Sequence, residues 1–145
     1  MASLEAPGGT KHAEDVFLYQ TLTPDAPSPC SWISDFRELI ICFAQRYGAN
    51  PQKAVAIVSC EGGFSDPGIC NKTFGCASGQ GAFQFIPSTW ANVILAHPFL
   101  PNSCHSADSV FDFRCNVDAG TWLLAVEGDS HWKPYSGACW LSRLK

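Results

Sequence analysis

Between positions 39 and 107 the chain carries only two carboxylates, Glu61 and Asp66. In a stretch so poor in acids, each one is informative. Glu61 follows the apolar run Ala54-Val55-Ala56-Ile57-Val58 and Cys60, and it precedes Gly62-Gly63. If the run is helical, Glu61 sits at its C-terminal end, where the helix dipole disfavours negative charge. Apolar neighbours desolvate the carboxyl group and push its pKa upward. No Lys or Arg lies within several residues to oppose either effect. A carboxyl group that keeps its proton near neutral pH suits general acid catalysis of glycoside cleavage. The same position equally suits a glutamate fraying into solvent at a helix end. Asp66 stands before Pro67-Gly68, so its expected role is that of a turn residue. It is also the nearest candidate in sequence for a second carboxylate.

The elements that position these residues follow from apolar spacing. Trp32, Ile33, Phe36, Leu39, Ile40 and Phe43 recur at helical spacing, which predicts a helix begun near Ser31 or Ser34 and stopped at Gly48. Asn50-Pro51 supplies a cap and a first-turn proline for the next helix, Pro51 to Glu61, which is apolar almost all round. Residues 64–82 are rich in Gly, Ser, Asp, Pro and Cys and suit a loop or small β-hairpin. Pro87 opens a third helix that must stop by Pro98. Phe113, Val117 and Leu124 mark a fourth, closed by Gly128, with Gly120 and Thr121 on the same face permitting close contact. The remainder through Trp140 is expected to be loop. The predicted class is α+β, mostly α.

Eight cysteines in 145 residues, none in a two-residue zinc or redox spacing, predict four disulfides and an oxidising compartment. Cys70–Cys76 and Cys104–Cys115 are the local pairings expected. The histidines at 12, 97, 105 and 131 form no metal-ligand pattern, and neither a metal nor another cofactor is expected. A net charge of −4 without a basic stripe argues against nucleic acid as a partner. The apolar runs are too short to span a bilayer. The first residues show no signal peptide, so the cysteines alone argue for a secreted, extracellular or periplasmic protein. Residues 1–29, with Pro7, Pro24, Pro27 and Pro29, read as a tail or linker, and 30–145 as one packed domain.

Four segments carry a resemblance. Val55–Phe64, Gly79-Gln80-Gly81-Ala82-Phe83-Gln84-Phe85-Ile86-Pro87-Ser88-Thr89-Trp90, Asn116-Val117-Asp118-Ala119-Gly120-Thr121-Trp122-Leu123-Leu124 and Tyr135-Ser136-Gly137 stand in this order. Together they resemble the catalytic helix, Gln-containing groove segment, Asn-x-x-Ala-Gly helix and Tyr-Asn-x-Gly turn of lytic transglycosylases. The Cys-Glu-Gly-Gly and Gln-Phe runs also resemble resuscitation-promoting factors. Gly62 and Ser136 depart from the family's serine and asparagine, and the loop from Glu61 to Gln84 is longer and carries Cys70 and Cys76.

The resemblance implies a lysozyme-like fold with a small β-hairpin after the catalytic helix. It implies Glu61 as acid and then base. Gln84 would bond the substrate or the acid, Phe83 would line the groove, Thr89 would support a helix start, and Tyr135 would orient Glu61 or meet the sugar. Trp132, in a loop near Tyr135, is a further groove candidate. The implied substrate is the β-1,4 bond between N-acetylmuramic acid and N-acetylglucosamine in peptidoglycan, with chitooligosaccharide as an analogue and a monomer as the acting species. One acid suffices if the sugar's own 6-hydroxyl closes an anhydro ring. A lysozyme-type hydrolase would need a second carboxylate, Asp66 or, through the fold, Asp108, Asp112 or Asp118. A catalytically silent glycan-binding domain is the rival from another class.

Overall fold

The computed structural model describes residues 30–64, 66, 68–70, 76, 79–132 and 139–144. The tail expected over 1–29 lies outside the described residues. The described part is mostly helical. Its helices are α1 (Phe36–Tyr47), α2 (Pro51–Cys60), α3 (Pro87–Ala96) and α4 (Phe113–Glu127), with 3-10 turns over Asn102–Cys104 and Ala107–Phe111. A further helical turn covers 139–142, where the sequence reading expected loop.

Each helix begins and ends for a local reason. Asp35 caps α1, accepting from the Glu38 amide at 2.8 Å, and Gly48 ends it. Trp32 and Ile33 therefore precede the helix rather than sharing its face, and Trp32 is 88% exposed. That stretch is held as a turn by the Cys30–Cys42 disulfide and by Arg114, which donates to the carbonyls of Cys30 and Ile33. Asn50 caps α2 through the Lys53 amide, with Pro51 in the first turn. Asp112 caps α4 through the Cys115 amide at 2.9 Å. In α3, Pro87 occupies the first turn without any side-chain cap, and the helix stops at Ala96, before Pro98.

The central helix is α4, whose buried residues run from Phe113 through Leu124 on nearly every side. It packs against α1, which packs in turn against α2. Phe83, Trp90, Ile57, Val117 and Trp140 lie fully or almost fully buried in the shared core. All eight cysteines pair, as Cys30–Cys42, Cys60–Cys139, Cys70–Cys76 and Cys104–Cys115. Both locally expected pairings are present. Closing a loop of 79 residues, the Cys60–Cys139 bridge restricts the unfolded chain by about 4–5 kcal/mol on the chain-entropy account. The β element shrinks to two isolated antiparallel bridges among the described residues, Cys70 with Gln80 and Gln80 with Phe85. No described helix is long and apolar enough to cross a membrane.

A buried polar network joins three helices. The Tyr47 hydroxyl at the end of α1 donates to Asp118 of α4. His97, just past α3, lies 2.8 Å from the same carboxylate oxygen through Nε2. The Phe99 amide donates to His97 Nδ1 at 3.3 Å, so Nε2 carries the proton and donates to Asp118. Trp122 stacks on the imidazole, with centroids 4.6 Å apart. Burial lowers the His97 pKa, against the opposing pull of Asp118, and burial likewise raises that of Tyr47. The folded state thus holds His97 neutral. Its contribution is present above the unfolded pKa of about 6.5 and is lost as pH falls from there toward the lower folded value. Urea unfolding at pH 7.5 and 5.0 should show that loss, at up to about 1.4 kcal/mol per pH unit. His97→Gln, which keeps a donor but does not titrate, should flatten it; an unchanged pH dependence in that variant contradicts the assignment.

Candidate active site

Helix α2 delivers Glu61 as its C-cap residue. The Glu61 amide reaches back to the carbonyls of Ile57 and Val58, and the Gly63 amide to Val58 at 2.8 Å. The turn is thereby closed onto the helix, and Cys60 anchors its base to Cys139. The next contact joins two of the motifs. The Gly62 amide donates to Ala82 O at 2.9 Å, which docks the Glu61 turn on the Gly79–Phe85 segment. A Cβ on residue 62 would fall 2.4 Å from Gly81 O and 2.7 Å from Ala82 Cα. No side chain fits between two backbones that close. A glycine at position 62 is therefore demanded by this packing.

The Gly79–Phe85 segment is itself held from α4. Phe83 donates its amide to Asn116 Oδ1 at 2.8 Å, and Asn116 Nδ2 donates to Gln80 O at 3.2 Å and Val110 O at 2.8 Å. Gly81 adopts φ +76°, and a Cβ there would meet Asn116 Nδ2 at 2.2 Å. The Phe83 ring lies on Gly120, within 2.3 Å of where a Cβ would stand.

Gln84, half-buried, has φ 52°, a left-handed conformation uncommon for a residue with a side chain and typical of functional or tightly constrained positions. Its amide nitrogen donates to Gly81 O at 2.8 Å and Ile69 O at 3.4 Å, and its Oε1 packs over Gly79. Gln84 thus bonds the backbone of its own loop, and both of its amide contacts are to carbonyls rather than to the expected acid.

Two expected groove residues are core residues instead. Phe83 is 0% exposed and Trp132 is 4% exposed, and the indole of Trp132 donates to Phe83 O at 2.9 Å. Each fills space behind the loop, so neither presents a ring face to a sugar. Thr89 is a partly buried first-turn residue of α3. The turn that it was expected to support is set by Pro87, with no side-chain cap. Asp66 is exposed and accepts from the Gly68 amide at 3.0 Å, the geometry of a turn residue. Tyr135 lies outside the described residues. Counting along the sequence also missed a cation, because Arg37 of α1 sits over the Phe64 ring, 4.6 Å from its centroid. A guanidinium therefore lies beside a residue only a few positions after Glu61.

The Asp118 side of the molecule holds a cleft of about 490 Å³, walled by residues that include Arg46, Phe99, Asp108, Asp112, Arg114 and Asp118. Three of its polar groups have structural duties. Asp112 caps α4, Asp118 receives Tyr47 and His97, and Arg114 binds carbonyls. Size alone does not make it a reactive site. Among the described residues no group of three or more His, Cys, Asp or Glu is placed to hold a metal. No protein-family model, curated protein or solved structure matches the chain.

The close approach at residue 62 has a direct test. Gly62→Ala should destabilise by about 1–3 kcal/mol, the usual cost of overpacking. Among the described residues Gly68→Ala meets Asp66 Oδ1 alone, at 3.6 Å, and should change stability little. Urea unfolding of both decides the matter, and equal midpoints would contradict the packing described.

Proposed function

We propose that the chain is a peptidoglycan-cleaving glycosidase of lytic transglycosylase type, with a lysozyme-like architecture, acting outside the reducing cytoplasm. The observation that carries the reading is the Gly62 N–H to Ala82 O bond. Two segments that resemble separate motifs of that family, the acid-bearing helix end and the Gln-containing loop, meet through it. The left-handed backbone of Gln84 adds support, since such positions cluster where function demands a set geometry. Four disulfides accord with an oxidising compartment.

In this mechanism Glu61 donates its proton to the oxygen bridging N-acetylmuramic acid and N-acetylglucosamine. The glycosidic bond breaks as positive charge develops on the muramic ring. The resulting carboxylate then takes the proton of that sugar's 6-hydroxyl while its oxygen bonds to the anomeric carbon. The products are a free 4-hydroxyl on one side and a 1,6-anhydro sugar on the other, and Glu61 ends as it began. No water is consumed and no second acid is required. The hydrolytic alternative would draw on Asp66, whose side chain is engaged in its own turn.

Peptidoglycan digestion with mass spectrometry of the muropeptides tests the reading. Wild type should release products one water lighter than those of a lysozyme. Glu61→Gln should lose about 10²–10⁴ of the activity, the usual share of general acid catalysis, whereas Asp66→Asn should retain it. Hydrated products together with an inactive Asp66→Asn variant point to the hydrolase. Clearing by Glu61→Gln rejects the acid, and binding without clearing by the wild type points to a glycan-binding domain.

A further inference from the structure

We propose that Asn116 is the positioning residue of this site, holding the Glu61 turn and Gln84 in one geometry from the far side of the loop. The consequence for turnover rests on the glycosidase reading; the geometry does not. Asn116 is 0% exposed. Its carboxamide brackets the Gly81–Ala82 pair, with Nδ2 donating to Gln80 O before it and Oδ1 accepting from Phe83 N after it. A third bond, Nδ2 to Val110 O at 2.8 Å, fixes the amide plane. The bracketed pair includes Ala82, whose carbonyl receives Gly62. The residue directly after the bracket is Gln84. One buried side chain on the central helix thus governs both the seat of the Glu61 turn and the backbone that turns Gln84.

The chemistry demanded at position 116 is specific. Two carbonyls need donors and one amide needs an acceptor, and only a carboxamide of this length offers all three. A carboxylate would accept from Phe83 but face two carbonyls with oxygen. An aliphatic side chain of similar size would fill the space, take the side-chain partner from Phe83 N and Val110 O, and leave Gln80 O with the Phe85 amide alone; a buried backbone group left unbonded costs about 1–3 kcal/mol. In a desolvated setting these bonds define one loop position rather than a family of them. Stability alone could also explain such a residue, so the test must separate position from stability.

Asn116→Asp is compared with Leu39→Ala. Leu39 is a core residue beside the groove lined by Ile33, Phe36, Phe111 and Phe113, so its variant serves as a destabilised control. Asn116→Asp should lower kcat on soluble peptidoglycan fragments by about tenfold or more, with KM within about twofold. In NMR spectra without substrate, its Gln84 side-chain amide should exchange with water about tenfold faster, and the Glu61 carboxyl ¹³C resonance should be displaced. Leu39→Ala should lower Tm yet match wild type in all four readouts once corrected for folded fraction. If Asn116→Asp also matches wild type after that correction, the residue is structural and the proposal is overturned. Should Asn116→Asp not fold, Asn116→Ser carries the same comparison, because a hydroxyl bonds one partner and abandons the others. If the wild type releases no muropeptides the glycosidase reading fails, and the Gln84 and Glu61 signals alone decide the role of Asn116.

Discussion

The hydrogen bond from Gly62 to Ala82, 2.9 Å long, exists because neither partner puts a side chain between the two backbones. On one side of it lies a helix end carrying a carboxyl group, and on the other the Gly81–Ala82 backbone of the loop, which lies against that turn. The contact is local in space but depends on distant parts of the chain. Helix α2 must end where it does, which Gly63 and the return bond to Val58 secure. The loop must keep its shape, which falls to Asn116 and to the Phe83 ring seated on Gly120. Behind the loop, the indole of Trp132 closes the arrangement through Phe83 O. Backbone meets backbone here, so the tolerance for change is small on both faces.

Much of the fold was legible in the sequence because helices announce themselves through apolar period and end signals. Asn50-Pro51, Pro87, Pro98, Gly48 and Gly128 mark boundaries that the structure keeps to within a residue or so. Trp32 misled because periodicity counts an apolar residue wherever it falls, whereas Asp35 captured the cap and left Trp32 outside the helix. Where a β-hairpin was expected, the described residues show the Cys70–Cys76 disulfide and two isolated antiparallel bridges.

The candidate site was legible in part. Motif order drew attention to Glu61 and to the Gln84 loop, and the structure joins their segments. Side-chain direction was not legible. The resemblance implied Phe83 as a groove residue, and Trp132 stood out as an aromatic residue in a loop near Tyr135, but a loop packed on a central helix points its large rings inward, where burying them is favourable. The tight spacing Gly79-x-Gly81, together with Gly120 on α4, was the available signal that backbone approaches closely there. Asn116 belonged to a motif, yet only the coordinates reveal which three backbone groups it serves. The Tyr47–Asp118–His97 network was invisible for the same reason, since its members come from three separate helical segments.

The bridge from Cys60 to Cys139 has a consequence for how the protein comes into being. Residue 139 is made 79 residues after its partner, which closes the base of the turn bearing Glu61. The helix end therefore stays untethered until that later cysteine has emerged into an oxidising milieu. A copy retained among intracellular thiols would keep its four helices' patterning yet lack this latch. Such an arrangement makes the maturation of the turn depend on the oxidation of thiols far apart in the sequence.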